Sequence, residues 1–126
     1  MSELTTIYIL SAIQVVLAAV LINVWLVRFN KKTKYRGKGT HTMVDEFRAY
    51  GLPKWFMYVV GFAKISIAVL LLIGLRYPAV VPGALYVLLG LMIGALVMHV
   101  KVRDSLVRSV PALGMIALCV AALVLM

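Results

Sequence analysis

A lysine nine residues into an uninterrupted apolar run is the feature of this sequence that most invites chemistry. Lys64 falls inside Trp55 to Leu75, and at helical rise it sits roughly 13 Å from the start of that run. A charge at such depth is costly and as a rule faces a bundle interior or a watered cavity, which makes Lys64 a candidate binding residue. Gly61 and Ala68, at i−3 and i+4, are small enough to let another helix approach on the same face. No apolar run contains an acid to pair with it. The nearest acids, Asp45 and Glu46, precede the run, and a lysine stem reaching about 6 Å back could meet them. Lys64 therefore has two readings, as a ligand-binding group or as a structural tether that snorkels or pairs with Asp45 or Glu46.

His99 closes the next apolar run, followed by Lys101, Arg103 and Asp104. It reads either as an interfacial histidine held by a loop group or as a ligand or proton-transfer residue. His41 is the other histidine, and two histidines with no adjoining Cys or carboxylate pattern match neither zinc nor haem ligation, so no bound metal is expected. Cys119 is the single cysteine, which rules out an internal disulfide or a Cys-x-x-Cys pair. Gly90 and Gly94 form a G-x-x-x-G, read as helix packing within a bundle or as a homodimer contact. Ser11, Gln14 and Tyr86 share comparable depth and could line a polar pocket or glue helices by hydrogen bonds. Phosphate-cradling glycine loops, H-E-x-x-H and G-x-S-x-G are all missing from the sequence, so the chain is not expected to be a self-contained enzyme.

The elements that must position these residues follow from composition. Of 126 residues, 64% are hydrophobic and only 13% charged, whereas soluble domains are about half apolar. Four runs, Leu4 to Val27, Trp55 to Leu75, Pro82 to Val100 and Val110 to Met126, approach the roughly 20 helical residues that cross a hydrocarbon core. The last is short and could begin near Leu106, with Arg108 snorkelling toward the head groups. In lipid such runs satisfy their backbones only as helices. The first is too long for a signal-peptide core and is expected to be a retained span. The expected fold is thus all-α, a four-transmembrane-helix bundle forming one membrane domain over residues 1–126.

Charge placement refines this picture. A net charge of +9 would suggest nucleic acid for a soluble protein, but here the charges cluster between spans, the pattern that orients membrane proteins. Arg28, Lys31, Lys32, Lys34, Arg36, Lys38, Arg48 and Lys54 lie in the first connection and Lys101, Arg103 and Arg108 in the third, against Arg76 alone in the second. Cytoplasmic loops retain Lys and Arg, so both termini are expected outside the cytoplasm, in a bacterial cytoplasmic (inner) membrane. Trp55 and Tyr58 at one interface and Tyr77 at the other fit aromatic belts. Lys31, Lys32, Lys34, Arg36 and Lys38 are expected against anionic lipid head groups. After them, Thr42 and Asp45 form a weak capping box, Met43, Val44, Phe47 and Tyr50 recur at helical spacing, and Gly51 and Pro53 stop the pattern. A short amphipathic interfacial helix is expected over Met43 to Tyr50.

Several pieces in this order resemble the DoxX-like family of small membrane proteins: Tyr50-Gly51-Leu52-Pro53, Gly61, Leu72-Ile73-Gly74-Leu75, Leu91-Met92-Ile93-Gly94-Ala95 with His99, and Asp104 followed by Pro111. They span about half the chain. The resemblance implies a four-helix bundle whose first connection holds a re-entrant or interfacial helix. One departure is Lys64, where many members carry a glutamate. The family takes its name from a subunit of a thiosulfate:quinone oxidoreductase, and other members are linked to redox homeostasis or membrane-protein assembly. Three functions follow as expectations. The first is an accessory or scaffold protein that binds a lipid, a protein partner or a second copy. The second is a quinone-linked redox subunit in which Lys64 and His99 contact the quinone and a partner supplies the electrons. The third is passage of a small anion past Lys64. No resident cofactor is expected unless a quinone serves as one, and no nucleic-acid partner.

Overall fold

The computed structural model describes residues 2–27 and 42–126. Lys31, Lys32, Lys34, Arg36, Lys38 and His41 lie outside the described residues. The first helix, α1, runs Glu3–Ile22 and begins at Ser2, whose hydroxyl accepts from the Thr5 N–H at 3.1 Å, filling one of the donors a helix start leaves open. It continues as a π-helical turn, Asn23–Val27. The short helix α2 is Met43–Ala49, α3 is Lys54–Ile73, α4 is Val81–Lys101 after a 3₁₀ turn at Pro78–Val80, and α5 is Leu106–Leu125. The earlier start of α5 extends the span expected from Val110 by one turn.

α1, α3, α4 and α5 are each long and apolar enough to cross a membrane, and the chain is a multi-pass membrane protein. α1 packs on α3, α3 on α4, α4 on α5 and α5 on α1, closing a ring of four. Large apolar side chains such as Tyr8, Phe62, Val97 and Val124 are exposed around its outside, as a lipid-facing surface requires.

One half of the bundle, away from α2, is filled solid. Leu17, Ala18, Leu71, Leu85, Leu88, Cys119 and Ala122 interlock there from all four long helices. Gln14 is buried among them and donates from its side chain to the Leu71 carbonyl at 2.9 Å. That carbonyl would otherwise be orphaned: at the end of α3 the Leu75 N–H turns to Leu72 instead. Gln14 thus acts as interhelical glue, while Tyr86, once grouped with it by depth, is 63% exposed on the outside. Gly74 permits the close approach of Val81 across the α3–α4 turn. The other half carries a separate cluster, Trp25, Met43, Phe47 and Met57, gathered around α2.

Candidate functional site

α2 owes its position to both of its ends. Thr42 caps its start, the hydroxyl accepting from the Asp45 N–H at 3.1 Å. At its other end Gly51 takes the left-handed conformation, φ 77°, so that the Leu52 N–H reaches the Phe47 carbonyl and the Gly51 N–H that of Arg48, both at 3.0 Å. This pairing is a Schellman stop. The Lys101 ammonium, from α4, then donates to the Tyr50 carbonyl at 2.8 Å, placing a cation on the negative end of the short helix. Met43, Phe47 and Tyr50 turn inward and Arg48 outward.

A second Schellman stop ends α4, and here the left-handed residue is Arg103, φ 56°. Asp104 donates its N–H to the His99 carbonyl at 2.9 Å, and Arg103 to that of Val100 at 3.0 Å. A non-glycine residue in this region carries strain of about 1–2 kcal/mol. The result is that the chain folds back on itself and delivers the Asp104 carboxylate to the His99 ring, Oδ2 to Nδ1 at 2.7 Å. Arg108, one turn into α5, donates to the other carboxylate oxygen at 2.8 Å. The Asp104 side chain is 1% exposed and that of His99 8%.

Between these two stops lies a cavity of about 670 Å³, within the range of small-molecule and cofactor pockets. Its walls are mostly apolar, with Val20, Phe56, Met98 and Met115 among them, and its polar lining includes Asn23, Lys64, Glu46, Tyr50, His99 and Arg108. An aromatic series runs among them. Trp25 meets Phe47, Phe47 meets Tyr50, and Tyr50 meets His99, each pair with ring centroids 6.0 Å apart. Lys64 stands at one end, its Nζ 5.3 Å from the Trp25 ring centroid, a cation–π contact. Glu46 accepts a hydrogen bond from the Tyr50 hydroxyl at 2.6 Å, and its charge acts on the Lys64 ammonium.

The sequence-level candidates are thereby sorted. Lys64, Glu46 and His99 face one cavity. Asp45 does not: it pairs with Arg48 at 3.5 Å on the exposed side of α2. One residue of helix is a rotation of about 100°, so neighbouring acids take different faces. Gly61 is a close-approach glycine, but what approaches is the Trp25 ring, 2.8 Å from where a Cβ would stand. Ala68 is fully buried in the solid half. At Gly90 and Gly94 no described atom lies within 4 Å of where a Cβ would stand. They line the cavity, where their missing side chains leave space open.

Trp25, Tyr50, Asp104 and Arg108 escaped sequence reasoning as site residues. The i, i+4 relation of Asp104 and Arg108 was available as a signal; the left-handed turn at Arg103 had none. No described group of three or more His, Cys, Asp or Glu side chains is placed to hold a metal ion. The arrangement suits an organic molecule, with an apolar body along the walls and hydrogen-bonding atoms against the polar lining.

A model of the DoxX-like family matches residues 12–124, well beyond the stretch on which the motifs fall. No curated protein and no solved structure matches the chain.

Proposed function

The chain belongs to the DoxX-like family, and from that premise we propose that it is a small accessory protein of the cytoplasmic membrane that holds an amphipathic, lipid-like molecule inside its bundle. The observation that carries this reading is the cavity of about 670 Å³, mostly apolar and with Lys64 and His99 in its lining. An occupant would lay its chain against Val20, Phe56, Met98 and Met115 and set its head between Lys64 and His99. Gly90 and Gly94 support the reading because their missing side chains keep the space open. With the basic connections inside, the α2 side of the cavity faces the cytoplasmic leaflet and both termini lie outside.

The test is the bound-lipid complement of protein extracted in mild detergent, measured by native mass spectrometry. One equivalent of a lipid-like molecule is expected in the unaltered protein, and its loss in Gly94→Leu, which fills the cavity without touching the polar groups. An identical complement in both would remove the reading. Orientation is tested separately in a Cys119→Ala background, where cysteines at Arg48 and Pro78 should label from opposite sides of the membrane.

A quinone is the second reading of the occupant, favoured because Lys64 and His99 line the same cavity and could each reach a quinone oxygen. Electrons would then come through a protein partner. Quinone content that is unchanged in Lys64→Leu and His99→Ala would exclude that site.

A further inference from the structure

The proposed function leaves the head group of the occupant open, and the pairing of charges around the cavity narrows it. Among the described residues, Lys64 and Arg108 are the cations that line the cavity. Arg108 is bonded to Asp104, and the Glu46 carboxylate lines the same space as Lys64. A phosphate or carboxylate head would have to draw Arg108 away from a carboxylate that is 1% exposed, leaving a buried charge behind, or settle beside Glu46 against like-charge repulsion. A quaternary ammonium would compete with the Lys64 ammonium for the Trp25 ring face. The charge arrangement therefore favours an uncharged head.

His99 adds the direction of the hydrogen bond. Its Nδ1 faces a carboxylate oxygen, which only accepts, so Nδ1 carries the hydrogen. In the neutral ring Nε2 then holds a lone pair. No described residue bonds that nitrogen, although the residue is only 6% exposed and lines the cavity. A buried acceptor without a donor is the kind of group that a ligand hydroxyl completes. Lys64 supplies the opposite polarity, with N–H groups over the Trp25 ring and no described acceptor bonded to them.

Resting on the reading that the cavity holds a lipid-like molecule, we propose that its site selects an uncharged lipid alcohol. The head hydroxyl donates to His99 Nε2, and a neighbouring ester or ether oxygen accepts from Lys64. Asp104 and Arg108 act as positioning residues that fix the ring and its tautomer.

Trp25 lines the cavity and is 7% exposed, so it can report the occupant in a Trp55→Phe background. Bromine-labelled chains quench tryptophan on contact, and three probes in detergent micelles separate the outcomes: a dibromostearoyl glycerol monoester, the corresponding methyl ester, which accepts but cannot donate, and the corresponding phosphatidic acid. Saturable quenching by the glycerol ester at about tenfold lower concentration than the methyl ester is expected. His99→Leu should abolish that difference while leaving methyl-ester quenching intact, which a merely structural role for the histidine would not do, and His99→Gln, which keeps an acceptor, should restore part of it. Equal or tighter quenching by phosphatidic acid would overturn the head-group assignment and leave the lipid-binding reading standing. Saturable quenching by none of the three would overturn both.

Discussion

The two halves of this bundle are built from the same apolar vocabulary and reach opposite results. On the side away from α2, Leu17, Leu71, Leu85 and Leu88 meet with no exposed surface, and the one buried amide among them, Gln14, is spent on an orphaned carbonyl. On the α2 side, α4 offers Gly90, Gly94 and Ala95 and α5 offers Pro111 and Ala112, and the volume they withhold is not refilled. Each of the four long helices passes from one regime to the other along its length. Hydrophobicity alone therefore does not decide whether a membrane bundle closes; the distribution of side-chain volume does.

The contrast can be broken most directly by truncation. Leu85→Ala is expected to cost about 2–5 kcal/mol, since it opens a void where packing is complete, whereas Met98→Ala, which trims a wall that already faces space, is expected to cost below about 1 kcal/mol. Unfolding in mixed micelles by a denaturing detergent measures both, and equal losses would erase the distinction. Gly61→Ala probes the seam between the halves. The new methyl meets the Trp25 ring at 2.8 Å, so a loss of about 1–3 kcal/mol is expected from overpacking, together with a shifted Trp25 emission in the Trp55→Phe background. No change in either would mean that the ring is not held there.

Gln14→Leu sharpens the comparison on the closed side. It leaves the Leu71 carbonyl without its donor, a loss of about 1 kcal/mol by the same unfolding assay. The smallest effect belongs to the hollow side, where Arg103→Gly removes the left-handed strain and should gain up to about 1 kcal/mol. A loss of stability would show that the arginine side chain contributes more than its backbone costs.

The spans were legible because lipid imposes length and continuity on them, and α2 because Thr42, Gly51 and Pro53 punctuate it. The assignment of Glu46 to the site and Asp45 to the outside was also encoded: Met43, Glu46, Phe47 and Tyr50 follow i, i+3, i+4, i+7, and helical phase alone separates the two acids. The cavity was not legible. It is an absence assembled from four helices, and G-x-x-x-G is the same string whether the space beside it is filled by a helix or left open. Trp25 was hidden for a related reason, since it lies in the π-helical turn, beyond the regular i, i+3, i+4 phase of the helix before it.

The bond from Lys101 to the Tyr50 carbonyl joins residues 51 positions apart, whereas the turns that pair α3 with α4 and α4 with α5 are short. α2 is only seven residues long, and breaking this bond needs no long helix to move. Amide exchange is therefore expected to rise first in α2, at a free energy below that of global unfolding, which would let the chain exchange what it carries without coming apart.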